Sequence, residues 1–205
     1  MFSAHSFENV ADKLRSLLTS PVYVIGGVLT ILIQRLLTTP GADPDLFARV
    51  AMGRLTLSQG AVPLVDPFAF TEKLPRWIDH EWLSGVVFYL IATALGDTGL
   101  ILLKLLLGTL SALCVMHVAA MYDPKAPRRL VWLALCLLHA TSAWTSTIRC
   151  QAFSYLFIPL LYWAMVEYRN RAKLFLLGLS PLVAIAWVNL HGGYALGLII
   201  VAIFV

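Results

Sequence analysis

Charge is scarce in this 205-residue chain: Asp, Glu, Lys and Arg make up 13% of it, against about a quarter in a soluble domain. With 60% hydrophobic residues and a mean hydropathy of +0.82, the scarcity excludes a water-soluble fold of this size, which could not hide so much apolar surface. Cysteine is nearly absent as well. Cys114, Cys136 and Cys150 have no motif spacing, two of them lie inside apolar runs, and no disulfide framework or zinc site can be read from them. A small-residue cleavage site is missing around the first apolar run, and residues 1–20 mix Glu8, Asp12, Lys13 and Arg15. That pattern predicts an uncleaved first span and not a signal peptide. Nucleic acid is not among the partners expected of such a chain.

What the sequence does have is one apolar run after another. A full span takes about 20 apolar residues. The candidate runs are 21–37, 82–96, 98–122, 130–147, 153–166, 174–190 and 194–205. Basic residues fall in three clusters: Lys13 with Arg15, Lys125 with Arg128 and Arg129, and Arg169 with Arg171 and Lys173. If 82–96 crossed the bilayer, the second and third clusters would lie outside. If it is an interfacial or re-entrant helix, every cluster lies in the cytoplasm, as the positive-inside rule favours. The run is also short for a span.

The expected architecture is therefore all-α, a polytopic transmembrane helix bundle of about six spans in a single membrane domain covering 1–205. Its N-terminus is cytoplasmic, and residues 38–97 form a large first extracytoplasmic loop carrying interfacial helices. The turn around Arg149 and Gln151 and the turn around Asn189 and His191 then emerge on the same outer face as that loop, so the polar chemistry is one-sided. Lys104 is placed to snorkel toward the outer interface, and His117 and His139 to hydrogen-bond neighbouring helices within the bundle. Gly193 and Gly197 match a small-residue helix-packing pattern, a common one.

The outer loop opens with Asp43-Pro44-Asp45 and Arg49 four residues further on. Asp43 reads as a helix N-cap with proline at the first helical position, Asp45 as favoured by the helix dipole, and Asp45 with Arg49 as an i,i+4 ion pair. The helix should end near Gln59 and Gly60, with turns at Asp66-Pro67 and Leu74-Pro75. The segment Arg76-Trp77-Ile78-Asp79-His80-Glu81-Trp82 places two carboxylates and a histidine between tryptophans. Either the tryptophans are interfacial anchors beside a solvated helix start, or one or two of Asp79, His80 and Glu81 face a pocket shared with Asp43 as metal ligands or acid–base groups. His191-Gly192-Gly193 is either a simple turn or a ligand for a phosphate.

These residues, in this order, resemble the opening of GT-C-type membrane glycosyltransferases, bacterial proteins related to protein mannosyltransferases and lipid-A aminoarabinose transferases. The resemblance runs from Asp43-Pro-Asp-Leu-Phe-Ala-Arg49 through Asp66-Pro67-Phe68 and Trp77-Ile-Asp-His-Glu-Trp82. It continues in Ile148-Arg149-Cys-Gln151 and Trp187-Val-Asn189-Leu-His191, covering most of the chain from residue 38 onward. It implies a catalytic aspartate in the first outer loop. Catalytic subunits of oligosaccharyltransferases place Asp-Pro there with an arginine six residues on, which maps onto Asp43, Pro44 and Arg49 and leaves Asp45 as the second candidate. Those enzymes also carry an acidic motif in the second outer loop. The corresponding stretch here, Thr147 to Gln151, has no carboxylate. A divalent metal ion is the one cofactor the pattern admits.

The resemblance implies a polyprenyl-phosphate-linked sugar donor in the membrane lipid and a glycan, lipid or protein acceptor at the outer face of a bacterial inner membrane. Asp43 would take the acceptor proton. Arg149, with His191 protonated, would stabilise the departing phosphate, while Arg49, Asp79, His80, Glu81, Gln151 and Asn189 would line the pocket. The rival expectation is a non-catalytic membrane scaffold or accessory subunit that keeps the architecture. The last run is about 18 Å long as a helix, too short to cross, and the related enzymes are longer, so the chain reads as the N-terminal portion of a longer protein.

Overall fold

The computed structural model describes residues 43–71, 76–123, 148–171 and 174–204, with isolated positions 21, 24, 25 and 28. Five helices are bounded among them: α1 (Pro44–Gln59), α2 (Trp82–Tyr122), α3 (Gln151–Arg171), α4 (Leu174–Leu190) and α5 (Tyr194–Phe204). The fold is all-α over these residues. The expected run 130–147 lies outside the described residues, as does most of 21–37.

Local chemistry sets the ends of α1. Asp43 Oδ1 accepts the Asp45 N–H at 3.0 Å, Pro44 fills the first helical position, and Gly60 closes the helix with φ +65°. The face carrying Met52, Gly53 and Thr56 is buried against α2. There the two backbones touch: a Cβ at Gly53 would sit 2.0 Å from the Gly85 carbonyl oxygen, and one at Gly85 would sit 2.6 Å from that of Arg49. Only glycine at both positions lets α1 come this close.

The helix α2 has 41 residues, which as a straight rod would measure about 60 Å at 1.5 Å per residue. A bilayer's hydrocarbon core is about 30 Å. Gly96 resolves the mismatch. Its φ of 60° and ψ of −155° belong to a region open to glycine alone, and they break the rod into a first limb before Gly96 and a second limb after it. The break falls between the sequence runs 82–96 and 98–122.

Among the described residues, α2 is the one helix both long and apolar enough to cross a membrane, where the sequence predicted about six spans. The helix α3 has 21 residues, enough for a span, but its tyrosines, Pro159 and Glu167 dilute its apolar character. In α4 and α5 the apolar stretches Gly178–Leu190 and Tyr194–Phe204 are shorter than a full span. A correction concerns Lys104. It is 2% exposed, buried on α2 beside Leu105 and Leu107 and not extended to an interface. Its place on the helix face that packs inward outweighs the reach of its side chain.

The core is continuous between α2 and α3. Phe88 stacks on Phe153 with ring centroids 5.9 Å apart, and Leu100, Leu107, Ile148, Ala152 and Leu190 close around them. Ser111 Oγ donates to the Tyr155 carbonyl at 2.6 Å, tying the second limb of α2 to α3. A second cluster, Leu161, Met165, Val183 and Trp187, joins α3 to α4, with Ile200, Val201 and Phe204 of α5 packed on it. These contacts bring the N-terminal ends of α1, α2 and α3 and the α4–α5 turn to one end of the bundle.

Candidate functional site

At that end lies a cavity of about 200 Å³ lined by Asp45, Leu46, Ala48, Arg49, Glu81, Phe88, Ile148, Arg149, Cys150 and Gln151. Three segments far apart in sequence build it. Asp43 and Arg149, 106 residues apart, form an ion pair, Arg149 Nε donating to Asp43 Oδ2. Trp82 and Asn189, 107 residues apart, are joined by Trp82 Nε1–H donating to Asn189 Oδ1 at 2.7 Å, while Asn189 Nδ2 donates back to the Ile185 carbonyl. Asn189 therefore holds α4 to the start of α2 and does not line the cavity.

Both oxygens of Asp43 are engaged, one by the Asp45 N–H and one by Arg149. Burial on its own would raise its pKa. The hydrogen bonds from Arg149 and the Asp45 N–H, together with the guanidinium charge, outweigh it and hold the carboxyl below the usual range. The Arg149 guanidinium is raised in turn, chiefly by its hydrogen bond to Asp43. Its side chain stays 40% exposed, so one face of the guanidinium is free to meet a ligand.

Arg49 is not the helical partner of Asp45. It reaches instead to Asp79, Nη1 to Oδ1 at 2.6 Å, with Glu81 Oε2 3.9 Å away. The local i,i+4 option loses because Asp79 is 2% exposed by its side chain and would otherwise be a buried carboxylate without a counter-charge. Burial tends to lower the Arg49 pKa, and the charge and hydrogen bond of Asp79, with Glu81 beside it, together more than reverse that. Asp79 Oδ1 also accepts the Glu81 N–H at 3.0 Å, while Oδ2 has no hydrogen-bond partner. Asp79 thus fixes the loop and stands outside the cavity, whereas Glu81 and Asp45 are the carboxylates facing it.

His191 sits behind Glu81 in a fixed orientation. The Gly193 N–H donates to its Nδ1 at 3.0 Å, and Ser154 Oγ lies 2.7 Å from the same nitrogen. Trp187 Nε1–H donates to Ser154 Oγ at 2.6 Å, so the Ser154 hydroxyl hydrogen is directed to His191. A ring nitrogen that accepts from a backbone N–H carries no proton of its own. His191 is therefore neutral with its hydrogen on Nε2, which stands 3.7 Å from Glu81 Oε1. Burial lowers its pKa, and His80 adds to this against the pull of Glu81. The protonated His191 expected from the sequence does not suit this cradle. Gly193 is part of it, since a Cβ there would meet Ser154 Oγ at 2.6 Å.

His80 is 61% exposed by its side chain, 3.9 Å from Glu81 Oε1, and outside the cavity lining. No group of three or more His, Cys, Asp or Glu side chains among the described residues is placed to hold a metal ion. The described residues offer no set of ligands for a divalent metal, and no step is assigned to one.

Sequence reasoning missed four residues. Ser154 and Trp187 orient His191. Ser84, fully buried, donates to the Glu81 carbonyl at 2.7 Å and lies 2.9 Å from Cys150 Sγ. Burial pushes the Cys150 thiol up to about 12, so it packs as a neutral group in the cavity wall. The one available signal was the four-residue spacing of Trp187 and His191, which puts both on one helix face. Compared with protein-family models, with curated proteins and with solved structures, the chain matches none of them.

Proposed function

We propose that this chain is a membrane glycosyltransferase that moves a sugar from a polyprenyl-phosphate-linked donor to a glycan, lipid or protein acceptor on the extracytoplasmic face. The observation that carries the reading is the convergence of Asp45, Glu81 and Arg149 on one cavity at one end of an apolar bundle, with Asp43 paired to Arg149 and His191 set behind Glu81, so that four segments far apart in sequence meet there. At about 200 Å³ the cavity is smaller than the roughly 300–1,000 Å³ that encloses a whole drug-sized ligand. It suits a headgroup whose chain stays in lipid. About six spans, cytoplasmic basic loops and a bacterial inner membrane belong to the same proposal.

In this reading the half-exposed Arg149 exchanges the Asp43 carboxylate for the donor phosphate. The exchange withdraws Arg149 from Asp43 and with it the two influences of Arg149 that hold its pKa down. The acceptor hydroxyl oxygen then attacks the anomeric carbon and the bond from that carbon to the phosphate oxygen breaks. The polyprenyl phosphate leaves with the bonding electrons, and Asp43 takes the hydroxyl proton. Glu81, backed by neutral His191, and Asp45 hold the acceptor or sugar hydroxyls from the cavity wall, and Gln151 adds an amide donor.

One observation favours the rival, a non-catalytic scaffold: Asp43 already has a partner for each oxygen. Thermal unfolding of the full chain in detergent with undecaprenyl phosphate separates the two. The transferase reading expects a stabilising shift that Arg149→Ala abolishes. Equal response of both proteins to the lipid, or of neither, contradicts it.

A further inference from the structure

Among the described residues between α1 and α2, five large apolar side chains are held out to solvent. Phe70 is 98% exposed, Ile78 70%, Leu64 58%, Phe68 52% and Val65 46%. The local backbone fixes this. Trp77 N–H donates to the Leu64 carbonyl at 2.7 Å, which draws residue 78 next to residue 64. Phe68 N–H donates to Asp66 Oδ1 at 2.9 Å, a turn that presents the Pro67-Phe68 corner outward. Single exposed apolar residues are ordinary. Five between residues 64 and 78, rimmed by Asp66, Thr71 and Arg76, make a patch of the kind that marks an interaction surface.

We propose that this patch is immersed in the outer leaflet of the bilayer as a second membrane contact, separate from the helices that cross it. The proposal rests on the membrane reading given above. Continuity is what selects lipid as the occupant. Ile78 lies four residues before α2, and the first limb of α2 carries on with Leu90 at 51% and Leu95 at 62% exposure on the way to the break at Gly96. Trp77 and Trp82 bracket the junction, the residue type that concentrates at the membrane–water boundary. Arg76, next to the patch, can lay its stem along it and keep its charge among the headgroups. Depth is limited by the backbone. The described residues 61–71 and 76–79 are irregular, and unpaired N–H and C=O groups do not enter hydrocarbon. The side chains therefore reach the headgroup–acyl boundary, roughly 5–10 Å in, while the main chain stays in the polar layer.

The test uses the full chain in lipid vesicles, with Cys114, Cys136 and Cys150 replaced by alanine and one environment-sensitive fluorophore on a new cysteine. Phe70→Cys is the probe, Ile78→Cys a second in case the first variant fails to fold. Leu106→Cys on α2 and Ser58→Cys at the end of α1 are the controls. At position 70 the emission should shift to the blue. Aqueous dithionite should fail to bleach it, and lipids brominated near the headgroup should quench it more than lipids brominated deep in the chain. Position 106 should be quenched by the deep bromines, and position 58 should behave as in water. If 70 and 78 behave like 58 while 106 reports lipid, the patch is not immersed and the membrane reading stands. If 106 is also aqueous, the membrane reading itself falls. Disulfide cross-linking of two copies through position 70 would assign the patch to a dimer and overturn the proposal.

Discussion

Replacing Arg49 by alanine perturbs the best-defined polar contact of the loop, and its cost follows from burial. Asp79 is 2% exposed by its side chain and depends on Arg49 at 2.6 Å; the Glu81 N–H is the other donor, and Oδ2 has none. Removing one partner of a buried pair costs about 3–5 kcal/mol. Arg49 retains 19% exposure, so water can partly replace it and the lower end applies, about 3 kcal/mol. For a chain of this size that is about 6–12 °C in the unfolding midpoint, at roughly 2–4 °C per kcal/mol. The midpoint is measured in detergent by intrinsic tryptophan fluorescence for Arg49→Ala, Asp79→Asn and the double variant. Because the cost arises from a stranded carboxylate, the double variant should be more stable than Arg49→Ala alone. A shift under about 2 °C for Arg49→Ala, or strict additivity, would refute the assignment of Arg49 to Asp79.

Two further outcomes follow from the geometry. Gly53→Ala puts a Cβ 2.0 Å from the Gly85 carbonyl and should cost about 1–3 kcal/mol as overpacking, whereas Gly53→Ala with an unchanged midpoint would mean that α1 does not cross α2 there. The His191 ring, ¹⁵N-labelled, should show a protonated Nε2 and an unprotonated Nδ1 near pH 7, and Ser154→Ala should shift the Nδ1 resonance; an Nδ1–H signal would contradict the cradle. Acid should destabilise the chain in two steps. His191 has a folded pKa below its unfolded value, so the unfolded state binds the extra proton first and stability falls as pH drops below about 6.5. Asp43 is likewise depressed, so its contribution is complete above about pH 4 and lost as pH falls through its folded pKa. Arg149→Ala should remove most of the second step.

What the sequence disclosed was mostly local. Asp43, Pro44 and Gly60 mark α1 because capping and a left-handed closing residue act within a few positions. The end of the apolar run at Gly96 coincides with the break in α2 for the same reason. Tertiary choices were not legible. Arg49 has an acceptable partner four residues back, and nothing in the sequence says that Asp79, thirty residues on, needs it more. Lys104 looks free to reach an interface until α2 is seen to turn that face inward. The meeting of Asp43 with Arg149 was expected from one-sidedness alone, yet the consequence, that neither carboxylate oxygen is left open, comes from the fold. His191 was expected as a cation because a departing phosphate would call for one, and nothing local in the sequence ties Ser154 or Trp187 to its ring. Their hydrogen bonds decide its proton.

The account depends on the cavity opening to the extracytoplasmic side. Asp45→Cys, in a background with the three native cysteines replaced, places a reactive thiol on the cavity wall. In sealed cells the account predicts that a membrane-impermeant maleimide labels it without permeabilisation. Labelling that appears only after the membrane is opened would put the cavity on the cytoplasmic side and contradict the account.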